Sequence, residues 1–447
     1  MRHADDTADV RAAAARALVT HVPPGAGIAV ALSGGRDSVV LLDALLHVAP
    51  PRGHRLAALH VHHGLSPNAD RWQHYCAELA TARGIPFVAR AVAVPPAPRA
   101  GVEAEARRLR YAALADAALA AGLSYVAVAH HRDDQAETLL LQLLRGAGPH
   151  GLAGMAAARA DPRGVTFVRP LLAIPRTAID AYARAAGLAW VDDESNAAHR
   201  HLRNAVRHLV LPALVRVAPQ APATLARAAR HQADAARLAD DLAALDAAAH
   251  GDGVSLDRAA LAALPPHRAR NLLRWFLRGR GLPAPSEARL SAMLAQLAAT
   301  RADARVTLAH AGWEVGVHRG RVVVHGTPPP AFDLRWHGER ELALPHGRLT
   351  FERGDGTGLD AVRAAAAPVS IRPRGGGERL QLMAGRPRRA VKSLLQEAGF
   401  APWERRALPF VWCGDALAVV PGLGVDAAFA APPGGAGIAV TWHPNPV

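Results

Sequence analysis

Lysine is almost missing from this chain: Lys392 is the only one in 447 residues. Its positive charge is therefore arginine, and Lys and Arg together outnumber Asp and Glu by 52 to 38, a formal charge of +14. That imbalance excludes indifference to polyanions and makes nucleic acid the leading partner class. The arginine and alanine excess is general along the chain, so no arginine is a signal by its identity alone. Cysteine is scarce too. Cys76 and Cys413 stand far apart, which excludes a disulfide framework, a C-x-x-C pair and a cysteine zinc site. They read as ordinary thiols of a reducing cytoplasm. No apolar run reaches the ~18 residues of a membrane span. The first ten residues carry Asp5, Asp6 and Asp9 in place of an apolar signal core. A soluble, cytoplasmic protein is expected.

The common phosphate loop G-x-x-x-x-G-K-S/T is also absent, and the bend after the first apolar run does not carry the dinucleotide fingerprint G-x-G-x-x-G. What is there instead is AVALSGGRDSVVLLDALLHV, residues 29–48. Ile28–Leu32 reads as a buried strand, and Leu41, Leu42, Leu45 and Leu46 recur at helical spacing. Ser33, Gly34 and Gly35 turn the chain between them. Such a junction leaves backbone N–H groups at the positive end of a helix, an anion site by construction. The same glycines also serve a merely tight turn. With no lysine in the loop, Asp37 is the candidate to hold a metal ion that bridges carboxylate and phosphate.

The first half of the chain alternates. Strands are expected at 27–33, 55–62, 87–94, 125–130 and 165–172. Helices are expected near 37–48, 69–83, 102–121, 133–145 and 175–186. Alternation of this kind predicts a doubly wound parallel sheet, an α/β fold with its ligand site beyond the carboxyl ends of the strands. Ser33, His62, His63, His130 and His131 fall at those ends. From about 216 the pattern changes to Ala, Arg and Leu at helical periods, with no strand signal over 220–304. Pro328, Pro329 and Pro330 read as a linker. Short strand-like pieces with Gly and Pro turns follow. The expected domains are 1–215 catalytic, 216–330 helical and 331–447 a small α+β unit.

Three further stretches carry chemistry. HHRDDQAETLL, 130–140, places Asp134 and Glu137 three apart on one helical face. Acids there complement the helix dipole; aimed into a cleft, they bind a metal or an ammonium group, or take a proton. EAEARRLRYAAL, 103–114, puts Arg107 and Arg110 one turn apart, with Glu103 at ion-pair spacing from Arg107. These are surface pairs, or an arginine that grips phosphate bidentately. WVDDESNAAHRHLRNAVRHLVLPAL, 190–214, sets Arg203 and Arg207 on one helical face and mixes in Asn196, Asn204 and Arg200. That face is solvated, or an RNA-phosphate surface.

SGGRDS resembles the pyrophosphate-loop pattern S-G-G-x-D-S of the N-type ATP pyrophosphatases. Within that group the chain is similar to the tRNA(Ile)-lysidine synthetases. HVHHGL, EARRLRY, HHRDDQAET, LLRGAGPHGLAGM, RPLL and RNAVRHLVLPAL carry the likeness in order, and IRPRGGGERL and RAVKSLLQEAGF extend it towards the C-terminus. The resemblance is loosest over 220–330. It implies ATP on Ser33, Gly34, Gly35, Arg36, Asp37 and Ser38, with Mg2+ at Asp37. It implies attack of the 2-carbonyl oxygen of the wobble cytidine, in a CAU-anticodon tRNA(Ile), on the α-phosphate. Free L-lysine then displaces AMP through its ε-amine. Asp134 and Glu137 are the expected lysine-binding pair, and Arg110 steadies phosphate or adenylate. Asp37, Arg110, Asp134 and Glu137 form the expected catalytic set. Expected tRNA contacts are Arg203, Arg207, Arg372, Arg374, Arg388 and Arg389, and the resemblance allows a homodimer. A tRNA thiolase of the same superfamily is the alternative within the fold, against which the lack of paired cysteines counts. A non-catalytic, arginine-rich RNA-binding protein is the alternative outside it.

Overall fold

The structure, a computed structural model, describes residues 2–64, 66–95, 101–192, 202–299, 307–327 and 329–445. Asn196 and Arg200, the Glu103 side chain and Pro328 lie outside the described residues. The chain forms two compact units, Met1–Leu238 and Ala239–Val447, divided within the helix Ala221–His250.

In the first unit the chain runs α1 (Arg2–His21), β1 (Ile28–Ala31), α2 (Arg36–Val48), β2 (Leu56–His62), α3 (Ala69–Ala82) and β3 (Phe87–Ala91). It continues through α4 (Val102–Ala120), β4 (Tyr125–Ala127), α5 (Arg132–Leu144), α6 (Pro149–Leu152), β5 (Ala158–Ala160), β6 (Thr166–Val168) and α7 (Arg176–Ala185). The strands stand in the order β3-β2-β1-β4-β6-β5, all parallel except the edge strand β5. The strands are near-continuously apolar because helices cover both faces. On one face Leu41, Leu42 and Leu45 of α2 join Ile179 and Tyr182 of α7 in a core. On the other, Leu114, Ala115 and Ala118 of α4 meet Val126 and Phe167. Helix α1 stands outside the helices expected from the sequence. Its Val10, Ala14 and Leu18, spaced by four, are fully buried against that first core.

One buried acid ties these helices together. Asp43 of α2 accepts hydrogen bonds from Tyr182 Oη at 2.7 Å and from Arg83 Nη1 at 2.7 Å. This fixes α2 against α7 and the end of α3. The sheet order sets β1 between β2 and β4, so chain direction across the sheet reverses between β1 and β4. The loops leaving those two strands flank the crevice where ligands bind in such sheets.

The second unit corrects the expectation of a purely helical middle region. Helices Arg258–Ala263, Pro266–Arg278 and Glu287–Ala299 are present. So is a four-stranded antiparallel sheet of Leu256–Asp257, Arg321–Gly326, Trp313–His318 and Thr307–His310. Leu308, Val315, Val317, Val322 and Val324 pack from it onto Leu272, Leu273 and Phe276. Its hairpins turn at Ala311–Gly312 and Arg319–Gly320, all four at positive φ. That is the geometry favoured in two-residue hairpin loops. Neither pair is the Asn-Gly or Asp-Gly that announces such a turn, so the hairpins went unread. Beyond them, Leu334–Trp336, Val369–Pro373, Pro409–Cys413, Ala416–Val420 and Gly424–Val425 form a five-stranded sheet, and Glu341–Leu344, Gly347–Asp355, Ala436–Pro444 and Leu359–Asp360 a four-stranded one. Among the described residues no single helix is long and apolar enough to cross a membrane.

Candidate functional site

The loop after β1 is built by glycine and serine. Gly34 sits at φ +86°, and a Cβ there would lie 2.8 Å from Val191 Cγ2 and 3.2 Å from Cys76 Sγ. Conformation and space both demand glycine. Ser38 is 5% exposed. Its Oγ accepts from the Ser33 N–H at 3.2 Å, lies 3.1 Å from Ser33 Oγ and donates to the Gly35 carbonyl at 2.8 Å. Ser38 therefore shapes the loop, while Ser33 is exposed. Gly35 caps α2 with no side-chain partner, so amides at the start of α2 remain for an anion. Arg36 is committed sideways: its Nη1 is 2.5 Å from Asp180 Oδ1 of α7, and its Nε is 3.2 Å from Asp37 Oδ1.

The loop after β4 brings the acids. His131 caps α5, and its backbone N–H donates to Asp134 Oδ2 at 3.0 Å. The His131 ring is the piece the sequence left without a role. Only 2% exposed, it lies between the two loops, with Nε2 3.6 Å from Asp37 Oδ2 and 3.5 Å from Asp134 Oδ2. Burial alone would lower the His131 pKa, but Asp37, Asp134 and Asp133 outweigh it and raise it above the ordinary value. Burial likewise works against ionised Asp37, and His131 and Arg36 reverse it, holding the carboxyl below its usual range. For Asp134, burial opposes ionisation too. His131, His130 and Arg203 overcome it and bring the carboxyl down to about 2. Asp133 is used elsewhere, accepting the Arg176 N–H at 3.0 Å and so capping α7.

Asp134 and Glu137 share one face, as their spacing predicts, and both are buried. Arg203 and Arg207, read from sequence as tRNA contacts, reach them. Arg207 Nε donates to Glu137 Oε1 at 2.6 Å, and its Nη2 donates to Glu137 Oε2 at 3.0 Å and to Asp134 Oδ1 at 2.9 Å. Arg203 lies 3.4 Å from Asp134 Oδ1 and 3.3 Å from Glu137 Oε2. The four side chains are charge-balanced. Leu202–Ala205 continues into a π-helical turn, Val206–Val210, which carries Arg207. The pairing joins positions some seventy residues apart, so no local spacing announced it. Arg110 is half-buried and has no carboxylate partner among the described residues. His62, by contrast, turns to Asp70 of α3 at 3.0 Å.

In the second unit the arginine-rich segment 371–399 is more balanced than its sequence reads. Arg372 pairs with Asp333 at 3.2 Å, Arg374 with Glu378 at 3.7 Å, Arg388 with the fully buried Asp426 at 2.7 Å, and Arg389 with Glu397. Asp333 and Asp426 come from outside the segment. Arg386 and Lys392 have no acid partner among the described residues.

Comparison with known proteins now bears on these arrangements. Three family models match: PP-loop domain over residues 9–214, TilS substrate binding domain over 256–323, and TilS substrate C-terminal domain over 369–442. A tRNA(Ile)-lysidine synthase of Azoarcus sp. (strain BH72) is 42% identical over 425 residues, spanning 95% of this chain and 93% of its own. That of Ralstonia nicotianae is 43% identical over 433 residues, spanning 93% and 92%. Among solved structures, the U34-tRNA thiolase NcsA from Methanococcus maripaludis is 17% identical, covering 51% of this chain and 79% of its own, with a TM-score of 0.43.

Proposed function

The chain belongs to the tRNA(Ile)-lysidine synthase family, and from that premise we propose that it joins the ε-amine of free lysine to C2 of the wobble cytidine in a CAU-anticodon tRNA(Ile), with ATP as the activating substrate. What supports this reading best is the meeting of an anion-binding loop and a buried carboxylate pair at one switch point. Asp37 and Asp134 lie on either side of His131, at 3.6 and 3.5 Å.

The chemistry divides into two displacements. The cytidine O2 attacks the α-phosphate and pyrophosphate leaves; amides at the start of α2 hold the polyphosphate while it does so. The ε-amine then attacks C2, AMP leaves with the former O2, and the amine loses a proton. Free, that amine has a pKa of ~10.4, so a base is required. Asp134 and Glu137 receive the ammonium, and one carboxylate of the pair takes the proton as the forming C–N bond makes the nitrogen acidic. For both carboxylates to reach it, Arg207 has to yield part of its fork. A base in a single-stranded anticodon loop is splayed into such a cleft at little cost.

Mg2+ belongs to this reading at Asp37. Among the described residues no cluster of three or more His, Cys, Asp or Glu makes an all-protein metal site. A single carboxylate, 36% exposed beside a phosphate loop, fits a cation that takes its other ligands from phosphate and water. When bound, the ion supplies the counter-charge that a loop lysine gives elsewhere. The family resemblance also allows a homodimer, which sedimentation at working concentration tests.

The deciding experiment incubates the protein with ATP, labelled lysine and total tRNA, and identifies the modified nucleoside by mass spectrometry. Label in a cytidine derivative of tRNA(Ile) is expected. Incorporated sulfur, or ATP turnover with no lysine in the nucleoside, would overturn the reading.

A further inference from the structure

A second set of positive groups lies on the far side of β4 from the phosphate loop, between α4 and the β5–β6 edge. Tyr111 of α4 packs edge-on against Phe167 of β6, with centroids 4.7 Å apart. Three guanidiniums surround its ring: Arg107 at 5.5 Å, Arg110 at 5.9 Å and Arg159 of β5 at 5.4 Å. Arg169, directly after β6, is 5% exposed, and its guanidinium donates from Nη1 to the Ala156 carbonyl at 2.6 Å. Among the described residues the buried Arg169 Nε and His130 Nδ1 have no hydrogen-bond partner, and the buried Tyr111 hydroxyl interacts with the Arg169 guanidinium.

Among the described residues this charge is answered only in small part. Among the described residues no carboxylate pairs with Arg110 or Arg169, and Arg159 has only Asp161 at 3.8 Å, which also pairs with Arg163 at 3.3 Å. Burial pushes Arg169 below its ordinary value, and Arg159 and Arg107 add to the effect. Burial also presses His130 down to about 3; Asp134 pulls the other way, and Arg169, Arg107 and Arg110 press with burial. Like charges crowded in a half-buried space are costly unless an anion sits among them. A buried guanidinium edge beside a hydroxyl and a neutral imidazole is a set of donors that awaits acceptors.

We propose that Arg107, Arg110, Arg159 and Arg169, with Tyr111 and His130, form a second anion site that takes a phosphate group. Arginine forks match phosphate oxygens bidentately. A lone carboxylate carries one charge and two oxygens, too little to answer four guanidiniums. The phosphate comes either from the RNA backbone beside the target base or from the polyphosphate of the nucleotide. This goes beyond the role given to the loop at Ser33–Ser38. Binding is read without turnover, so failure here leaves lysidine formation standing, and the reverse.

The test uses the full chain with Arg159→Gln, Arg159→Lys and Arg107→Gln, each checked by melting. The probes are unmodified tRNA, ATP, inorganic pyrophosphate and lysine. One lost charge-assisted contact should weaken the phosphate ligand about tenfold. If the source is RNA, tRNA binds that much more weakly, and the slope of log affinity against log salt becomes shallower by about 0.7–0.9 per contact, with ATP unchanged. If it is the nucleotide, ATP and pyrophosphate weaken tenfold and the salt slope for tRNA stays. Either result supports the proposal, and Arg159→Lys, which keeps the charge but not the fork, should restore part of the loss. Folded glutamine variants that bind tRNA, ATP and pyrophosphate like the parent overturn it. So does a loss confined to lysine, which would make the site a carboxylate pocket. Should Arg107→Gln not fold, Arg159→Gln decides alone, since that side chain is 45% exposed.

Discussion

Replacing Arg207 with glutamine tests the charge balance of the cleft. The guanidinium makes three hydrogen bonds to Glu137 and Asp134, at 2.6, 3.0 and 2.9 Å. The acid side chains are 2% and 10% exposed, and that of Arg207 is 23%. Removing one partner of a buried pair costs about 3–5 kcal/mol, because the other charge is left unanswered. Here Arg203 remains within 3.4 Å of both acids, and water reaches the arginine side, so the lower end applies. About 3 kcal/mol in a unit of this size lowers Tm by about 6–12 °C. Calorimetry at pH 7 on the parent, Arg207→Gln, Glu137→Gln and the double variant reads it directly. The double variant should melt above Arg207→Gln, since the stranded carboxylate is gone, with a coupling of about 1–3 kcal/mol. An Arg207→Gln protein melting within about 1 °C of the parent, or strictly additive variants, would refute the reasoning.

Four further outcomes follow from the same geometry. Asp37→Ala should abolish pyrophosphate release while the melting curve stays near that of the parent; near-normal release by the folded variant counts against Asp37 as the holder of the counter-ion. Asp134→Asn and Glu137→Gln should slow lysine transfer more than cytidine adenylation, so that adenylated tRNA accumulates; equal loss of both half-reactions contradicts their assignment to lysine. Asp134 also predicts a pH dependence. Its folded pKa of about 2 lies below the ordinary 3.8, so it stabilises the fold above about pH 4, and that contribution, about 2 kcal/mol, disappears as pH falls through about 2. Urea titrations from pH 5 to 2 should show this loss in the parent, and a flatter profile in Asp134→Asn. In the second unit, Arg386→Gln and Lys392→Gln should each make the tRNA salt slope shallower by about 0.7–0.9. Arg388→Gln, whose charge Asp426 already answers at 2.7 Å, should change the slope less and lower Tm instead, and a reversed ranking would show that the basic face is not used as the pairing implies.

Much of this protein was legible without coordinates because the signals are local. The strand-turn-helix at Ile28–Val48 needs only an apolar run, two glycines and a leucine period, and the structure places β1 and α2 there. The three-residue spacing of Asp134 and Glu137 put them on one face of α5, as found. The hairpins at Ala311–Gly312 and Arg319–Gly320 escaped, because their turn residues carry no strong local preference and only packing onto Leu272, Leu273 and Phe276 selects strands there. What the chain could not announce is partnership across distance. Whether Arg203 and Arg207 face solvent or grip Asp134 and Glu137, whether Arg388 is free or answered by Asp426, and that His131 stands between two loops are settled by the fold alone. The physical reason is that periodicity reports which face a side chain occupies, while a charge is neutralised by whatever the folded chain brings within about 4 Å, and sequence separation says nothing about that distance.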